Sequence, residues 1–130
     1  MLRLVILCSF IFLAFTNFEC QKKSSGLEKS GNQFKGRLEI KGICMNYTIK
    51  LLEGEMNADL YQKSWKDEHS GKTHTNVFAL DNPCEFPGEL NEGDEFYFEI
   101  ENDVNRNCGV CLAYYPTPSK KLAIRVISNP

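Results

Sequence analysis

Residues 96–100 read FYFEI, and the alternation of Phe96, Phe98 and Ile100 with Tyr97 and Glu99 is the period-two signature of a strand with one face buried. The first set points inward; the second, continued by Glu101, points to solvent. The same period recurs along the chain. GRLEIKGI sets Leu38 and Ile40 against Arg37, Glu39 and Lys41, from a start near Phe34. NYTIKLLEG places Tyr47, Ile49 and Leu51 on one face and Thr48 and Lys50 on the other, and closes at Gly54. THTNVFAL, Thr73 to Leu80, ends at Asn82 and Pro83, and KLAIRVIS carries Leu122, Ile124 and Val126 on one side. VCLAYYP reads as a further strand, whereas ADLYQKSW, with Leu60, Tyr61 and Trp65, fits either a strand or a helical turn. CEFPGELNEGD, punctuated by Pro87, Gly88 and Gly93, reads as a loop. No stretch of the body shows a capped period of 3.6. Six or seven short strands joined by Gly, Pro and Asn turns predict an all-β fold, a small two-sheet β-sandwich of the immunoglobulin-like or Greek-key kind.

Outward from that body, Leu4 to Phe15 read LVILCSFIFLAF behind Arg3. The run is shorter than the roughly 20 residues that span a bilayer, and with its polar exit through Thr16 and Asn17 it matches a secretory signal. The expected organisation is a signal over 1–20, a flexible Lys-, Ser- and Gly-rich tail over 21–33, and a β-domain over 34–130. No transmembrane segment is expected, and the mature protein is expected to be secreted and extracellular. Export makes disulfides the natural state of the body's cysteines, Cys44, Cys84, Cys108 and Cys111, which admit three pairings. Cys8 falls in the signal, and the fate of Cys20 depends on where cleavage occurs.

The net charge of −2 conceals a strong segregation. Nine acids and no base occupy residues 81–103, whereas 104–130 carry only Arg106, Lys120, Lys121 and Arg125, and 20–50 carry seven bases against Glu28 and Glu39. Such segments either neutralise one another across neighbouring elements or leave an acidic and a basic side. The candidate binding surfaces are accordingly the acidic stretch Glu92 to Asp103, with Tyr97, Glu99 and Glu101, and a basic side around Arg37, Lys41, Lys120 and Lys121. The slightly acidic balance, without a basic run interleaved with aromatics, argues against nucleic acid.

Chemical motifs are sparse. Cys108-Gly109-Val110-Cys111 has the spacing of a redox pair, yet lies before a proline-flanked segment rather than a helix. The alternative is that both cysteines reach back to Cys44 and Cys84 as staples. His69 and His74 lie across a turn, a poor match to a zinc set with Cys108 and Cys111. Glu92, Asp94 and Glu95 lack calcium-loop spacing. No G-x-S-x-G is present. No enzyme, cofactor or metal site is therefore expected. Asn46-Tyr47-Thr48 is a glycosylation acceptor triplet in an exported chain.

Taken in order, the KGRL opening (Lys35 to Leu38), YTIKLLEG, VFAL, FYFEI leading to a polar turn with a cysteine, and a final I-x-V strand resemble the nematode transthyretin-like family over about residues 34–127. Cys44, Asn76-Val77 and Asn102-Asp103 depart from the pattern usual there. The resemblance implies a transthyretin-like sandwich secreted as a non-enzymatic protein that binds a receptor, another protein or lipid. Two other roles fit the same pattern. One is a carrier holding a hydrophobe between Phe78, Phe96, Phe98 and Ile124; the other is a secreted inhibitor or effector acting through Tyr114-Tyr115-Pro116.

Overall fold

The structure, a computed structural model, describes residues 32–105 and 107–128. The expected signal, with Cys8 and Cys20, most of the tail, Arg106 and residues 129–130 lie outside them. Seven strands follow in order: β1 (Phe34–Lys41), β2 (Tyr47–Glu53), β3 (Gln62–Lys66), β4 (Thr73–Leu80), β5 (Glu95–Ile100), β6 (Lys121–Leu122) and β7 (Ile124–Ser128). Short 3-10 turns occupy Ile43–Met45, Ala58–Leu60 and Pro83–Glu85, and no α-helix occurs among the described residues. The protein is an all-β domain stapled by two disulfides, Cys44–Cys111 and Cys84–Cys108.

All seven strands belong to one hydrogen-bonded sheet, ordered β3-β4-β2-β1-β5-β7, with β6 pairing to β4. Every pairing is antiparallel except β4 with β6, which runs parallel through Ala79↔Lys121 and Leu80↔Leu122. Because β6 and β7 are one length of chain interrupted at Ala123, the last strand touches both β4 and β5 and bends the sheet back upon itself. Ring packing shows the curl directly. Phe78 on β4 and Phe98 on β5 have two strands between them, about 14 Å in a flat sheet, yet their ring centroids lie 6.0 Å apart. The strands expected from the sequence are thus joined in one hydrogen-bonded, curled sheet that wraps its core.

Alternation picks out Leu38, Ile49, Phe96, Phe98 and Ile124, and these are all essentially inaccessible, as is Phe78 within the apolar run of β4. The rings of Phe34, Phe78, Phe96 and Phe98 form a chain of tilted contacts at 5.5–6.0 Å. The loop before β5 contributes more than a turn, since Phe86 and Leu90 join the core and Phe86 meets Phe96 edge-on at 5.4 Å. Gly36, in β1, packs directly against the Phe98 ring. A Cβ there would fall 2.8 Å from the Phe98 ring, so the strand tolerates no side chain.

Two expectations are corrected and one open alternative is resolved. VCLAYYP forms no strand: residues 107–118 make no ladder, because Cys111 is tied to Cys44 and Pro116 and Pro118 follow. ADLYQKSW is both of its alternatives in succession, a 3-10 turn over Ala58–Leu60 and then β3. Thr48, read as outward, does face away from the main core but is fully buried. A register shift between Leu38 and Ile40 turns Ile40 to the same outer side, opposite Thr48. With Val77 and Ala79 these residues make a second buried patch on the outer face. Its cover is the connection from β5 to β6. Tyr115 fixes that connection against Gly42 at one side, Ser119 hydrogen-bonds Gln62 at the other, and Pro118 is fully buried between them.

Gly36→Val is expected to cost about 1–3 kcal/mol by overpacking against Phe98. Urea unfolding followed by tyrosine and tryptophan fluorescence measures it; unchanged stability would show that the sheet does not curl this tightly.

A disulfide-framed apolar corner as candidate functional site

The two cystines define the site. After β1 the chain turns through Ile43–Met45 with Cys44 and Met45 both in the left-handed region, at φ 56° and 59°. Non-glycine residues occupy that region at a cost of about 1–2 kcal/mol each. The turn holds because Cys44 is bonded to Cys111, with Cα atoms 5.2 Å apart. The Asn46 amide adds a second tie, donating to the Ile43 carbonyl at 2.9 Å and the Ala113 carbonyl at 3.4 Å. Cys84–Cys108, with Cα atoms 6.0 Å apart, secures the start of the same connection.

This framing places apolar side chains in water. Ile43 is 59% exposed, Met45 39%, Val110 43%, Leu112 98% and Tyr114 79%, and these are all the exposed large apolar side chains among the described residues. They come from two short segments far apart in sequence that the Cys44–Cys111 bond brings together. A cleft lies on either side. One, of about 410 Å³, lies between the cystines beside Met45, Leu112, Asp81, Glu85 and Lys121. The other, of about 440 Å³, is walled by Ile43, Tyr114, Tyr115 and Pro116, with Glu68 and His69 at its edge.

The β3–β4 hairpin supports the second cleft from below. Asp67, almost wholly buried, accepts hydrogen bonds from the His69 and Ser70 amides at 3.0 Å each and from the Ser70 hydroxyl. Burial works to raise its pKa, but those three donors outweigh it and hold the carboxyl below the usual range. From this turn His69 packs on the Tyr115 ring, centroids 5.4 Å apart, while Tyr114 donates to Glu68 at 3.4 Å. Burial raises the Tyr115 pKa, and the charges of Asp67 and Glu92 push it the same way.

The charged surfaces read from sequence fare differently. Arg125 meets Glu99 at 2.7 Å and Glu101 at 3.6 Å, and Lys35 meets Glu95 at 2.6 Å. Arg37 grips Glu39, whose other oxygen meets His74 at 2.9 Å. Burial tends to raise the Glu39 pKa, but the His74 and Arg37 hydrogen bonds prevail and lower it. Lys41 donates to the Gly88 and Leu90 carbonyls. Acidic and basic segments thus interleave, the first of the two arrangements expected. Arg37 and Lys41 lie on β1 and Lys120 and Lys121 at β6, with β2 and β4 between them, while Tyr97 is half-buried opposite Lys35. Cys108 and Cys111 each reach back, as the staple reading has it, and are not bonded to one another. Asn46 is half-buried with its amide nitrogen engaged. Phe78, Phe96 and Phe98 pack on each other, and neither cleft is lined by them.

Sequence reasoning named Tyr114, Tyr115 and Pro116 but missed Ile43, Met45, Val110 and Leu112. The one available signal was that apolar residues flank Cys44 and Cys111 on both sides. No family model, curated protein or solved structure matches this chain.

Replacing Cys44 and Cys111 by serine is expected to remove about 4 kcal/mol by freeing a long loop in the unfolded state, measured by urea unfolding with the other cystine intact. The Asp67 contribution, with a folded pKa below the unfolded value of about 3.9, is complete above that pH and lost as pH falls through the folded value. Asp67→Asn should therefore flatten the acid limb of the stability-pH curve below about pH 4, as read from melting temperatures; an unchanged limb would remove the carboxylate from the account.

Proposed function

We propose that this is a secreted, non-enzymatic recognition protein, akin to the transthyretin-like proteins it resembles, that binds an extracellular protein through the Cys44–Cys111 corner. The observation that carries the reading is the gathering of every exposed large apolar side chain among the described residues at one cross-linked corner. Clustered apolar exposure marks interaction sites, and tyrosine beside aliphatic side chains suits a contact surface. Two disulfides fit an oxidising compartment, and among the described residues no helix is long and apolar enough to cross a membrane. The N-terminal apolar run supports export. The carrier reading has less behind it, because its proposed lining residues fill the space between them with each other's rings.

The test applies fluorescently labelled mature protein to cells from its source and compares it with the double variant Ile43→Ser, Leu112→Ser. Both positions are exposed, so the variant should melt at the same temperature. Truncating interface anchors costs about 2 kcal/mol or more at a hot spot, so cell-surface binding should weaken at least about tenfold. Equal staining would reject the corner as the recognition surface. Apolar mass retained at one equivalent in native mass spectrometry would favour a carrier instead.

A further inference from the structure

We propose that the two cystines form a reactive site for a small thiol, which rearranges them to Cys44–Cys84 and Cys108–Cys111 and so dismantles the corner. A cystine's rate of exchange depends on access, and exposed cystines are the labile ones. Here each cystine has one exposed member, Cys84 in one and Cys111 in the other, with Cys108 and Cys44 half-buried. All four line a single cleft of about 410 Å³, a size that admits a small molecule.

The alternative pairings are both local. Cys44 lies in the Ile43–Met45 turn that leads into β2, and Cys84 in the Pro83–Glu85 turn that follows β4. β2 and β4 are antiparallel partners through Thr48↔Ala79, so the two turns sit at the same end of one ladder. Cys108 and Cys111 are three residues apart in a connection that belongs to no strand or helix, and Gly109 between them has open space around it. A short flexible tether gives such a pair a high effective concentration. Release from Cys111 also frees the left-handed turn at Cys44 and Met45 to relax.

The exchange balances without an oxidant. The external thiolate, its proton given to water, attacks Cys84 Sγ; a mixed disulfide forms, the Cys84–Cys108 bond breaks, and its electron pair leaves on Cys108. The Cys108 thiolate attacks Cys111 Sγ and expels the Cys44 thiolate. Cys44 then attacks Cys84 Sγ and returns the external thiol, which recovers its proton. Two disulfides enter and two remain, with no net oxidation or reduction. The connection over 107–118 then has no cross-link to the sheet, and Leu112 is no longer drawn to Ile43.

The test is mass-spectrometric mapping of the full mature protein, both cystines intact, before and after incubation with reduced glutathione at neutral pH and quenching with acid and N-ethylmaleimide. The untreated protein starts from Cys44–Cys111 and Cys84–Cys108. After glutathione, peptides with a Cys44–Cys84 cross-link and an internal Cys108–Cys111 bond should rise from undetectable to a readily measured share, without an equal rise in alkylated cysteine. In the double variant Cys84→Ser, Cys108→Ser, the Cys44–Cys111 bond should survive the same treatment. Pairs left unchanged by glutathione, a mixed disulfide at Cys84 that goes no further, or alkylated thiols without the new pairs would each overturn the proposal. Loss of Cys44–Cys111 as fast in the double variant would overturn it too, since direct reduction would then suffice. Connectivity is the readout, so the outcome stands apart from whether the corner binds a cell surface.

Discussion

The connection between β5 and β6 has no ladder of its own, and what fixes it is the pair of cystines that join it to the β1–β2 turn and to the end of β4. Ordering a chain costs about 1–2 kcal/mol per residue in backbone entropy alone, more than the few buried contacts of Tyr115 and Pro118 can offset. Cross-linking removes much of that cost beforehand by restricting the unfolded chain. Two consequences follow from one constraint. The connection is held over Ile40, Thr48, Val77 and Ala79, sealing the outer face of the sheet, and its apolar residues are left outside, where no core receives them.

The curled sheet supplies the rigid base on which this occurs. Its inner face is an aromatic stack, with Gly36 giving the Phe98 ring room and the β6–β7 strand bridging from β4 to β5. Rigidity there leaves the corner as the place where the molecule can vary without losing its fold, the usual division between a scaffold and the loops it carries. Some of the charges elsewhere pair with one another, as Arg125 with Glu99 and Lys35 with Glu95 illustrate.

Much of the fold was legible because alternation is a local signal. Phe96 and Phe98, Leu38 and Ile49 declare their face through their immediate neighbours, and β4 begins and ends where its sequence suggests. Ile40 and Thr48 were not legible, since their placement depends on a register shift and on a cover arriving from residues some 70 positions later in the chain. VCLAYYP failed for a related reason: β-forming residues were overridden by a covalent tie. The corner itself was half legible. Its tyrosines and cysteines stood out by type, but Ile43 and Leu112 look like ordinary core residues until Cys44 is known to meet Cys111, and three pairings were open.

The central claim is therefore a covalent one, and peptide mapping of the unreduced, secreted protein by mass spectrometry tests it most directly. The account predicts cross-linked peptides joining Cys44 to Cys111 and Cys84 to Cys108. A bond between Cys108 and Cys111, or free thiols at those positions, would contradict it, because neither would draw Leu112 to Ile43 or hold the connection against the sheet.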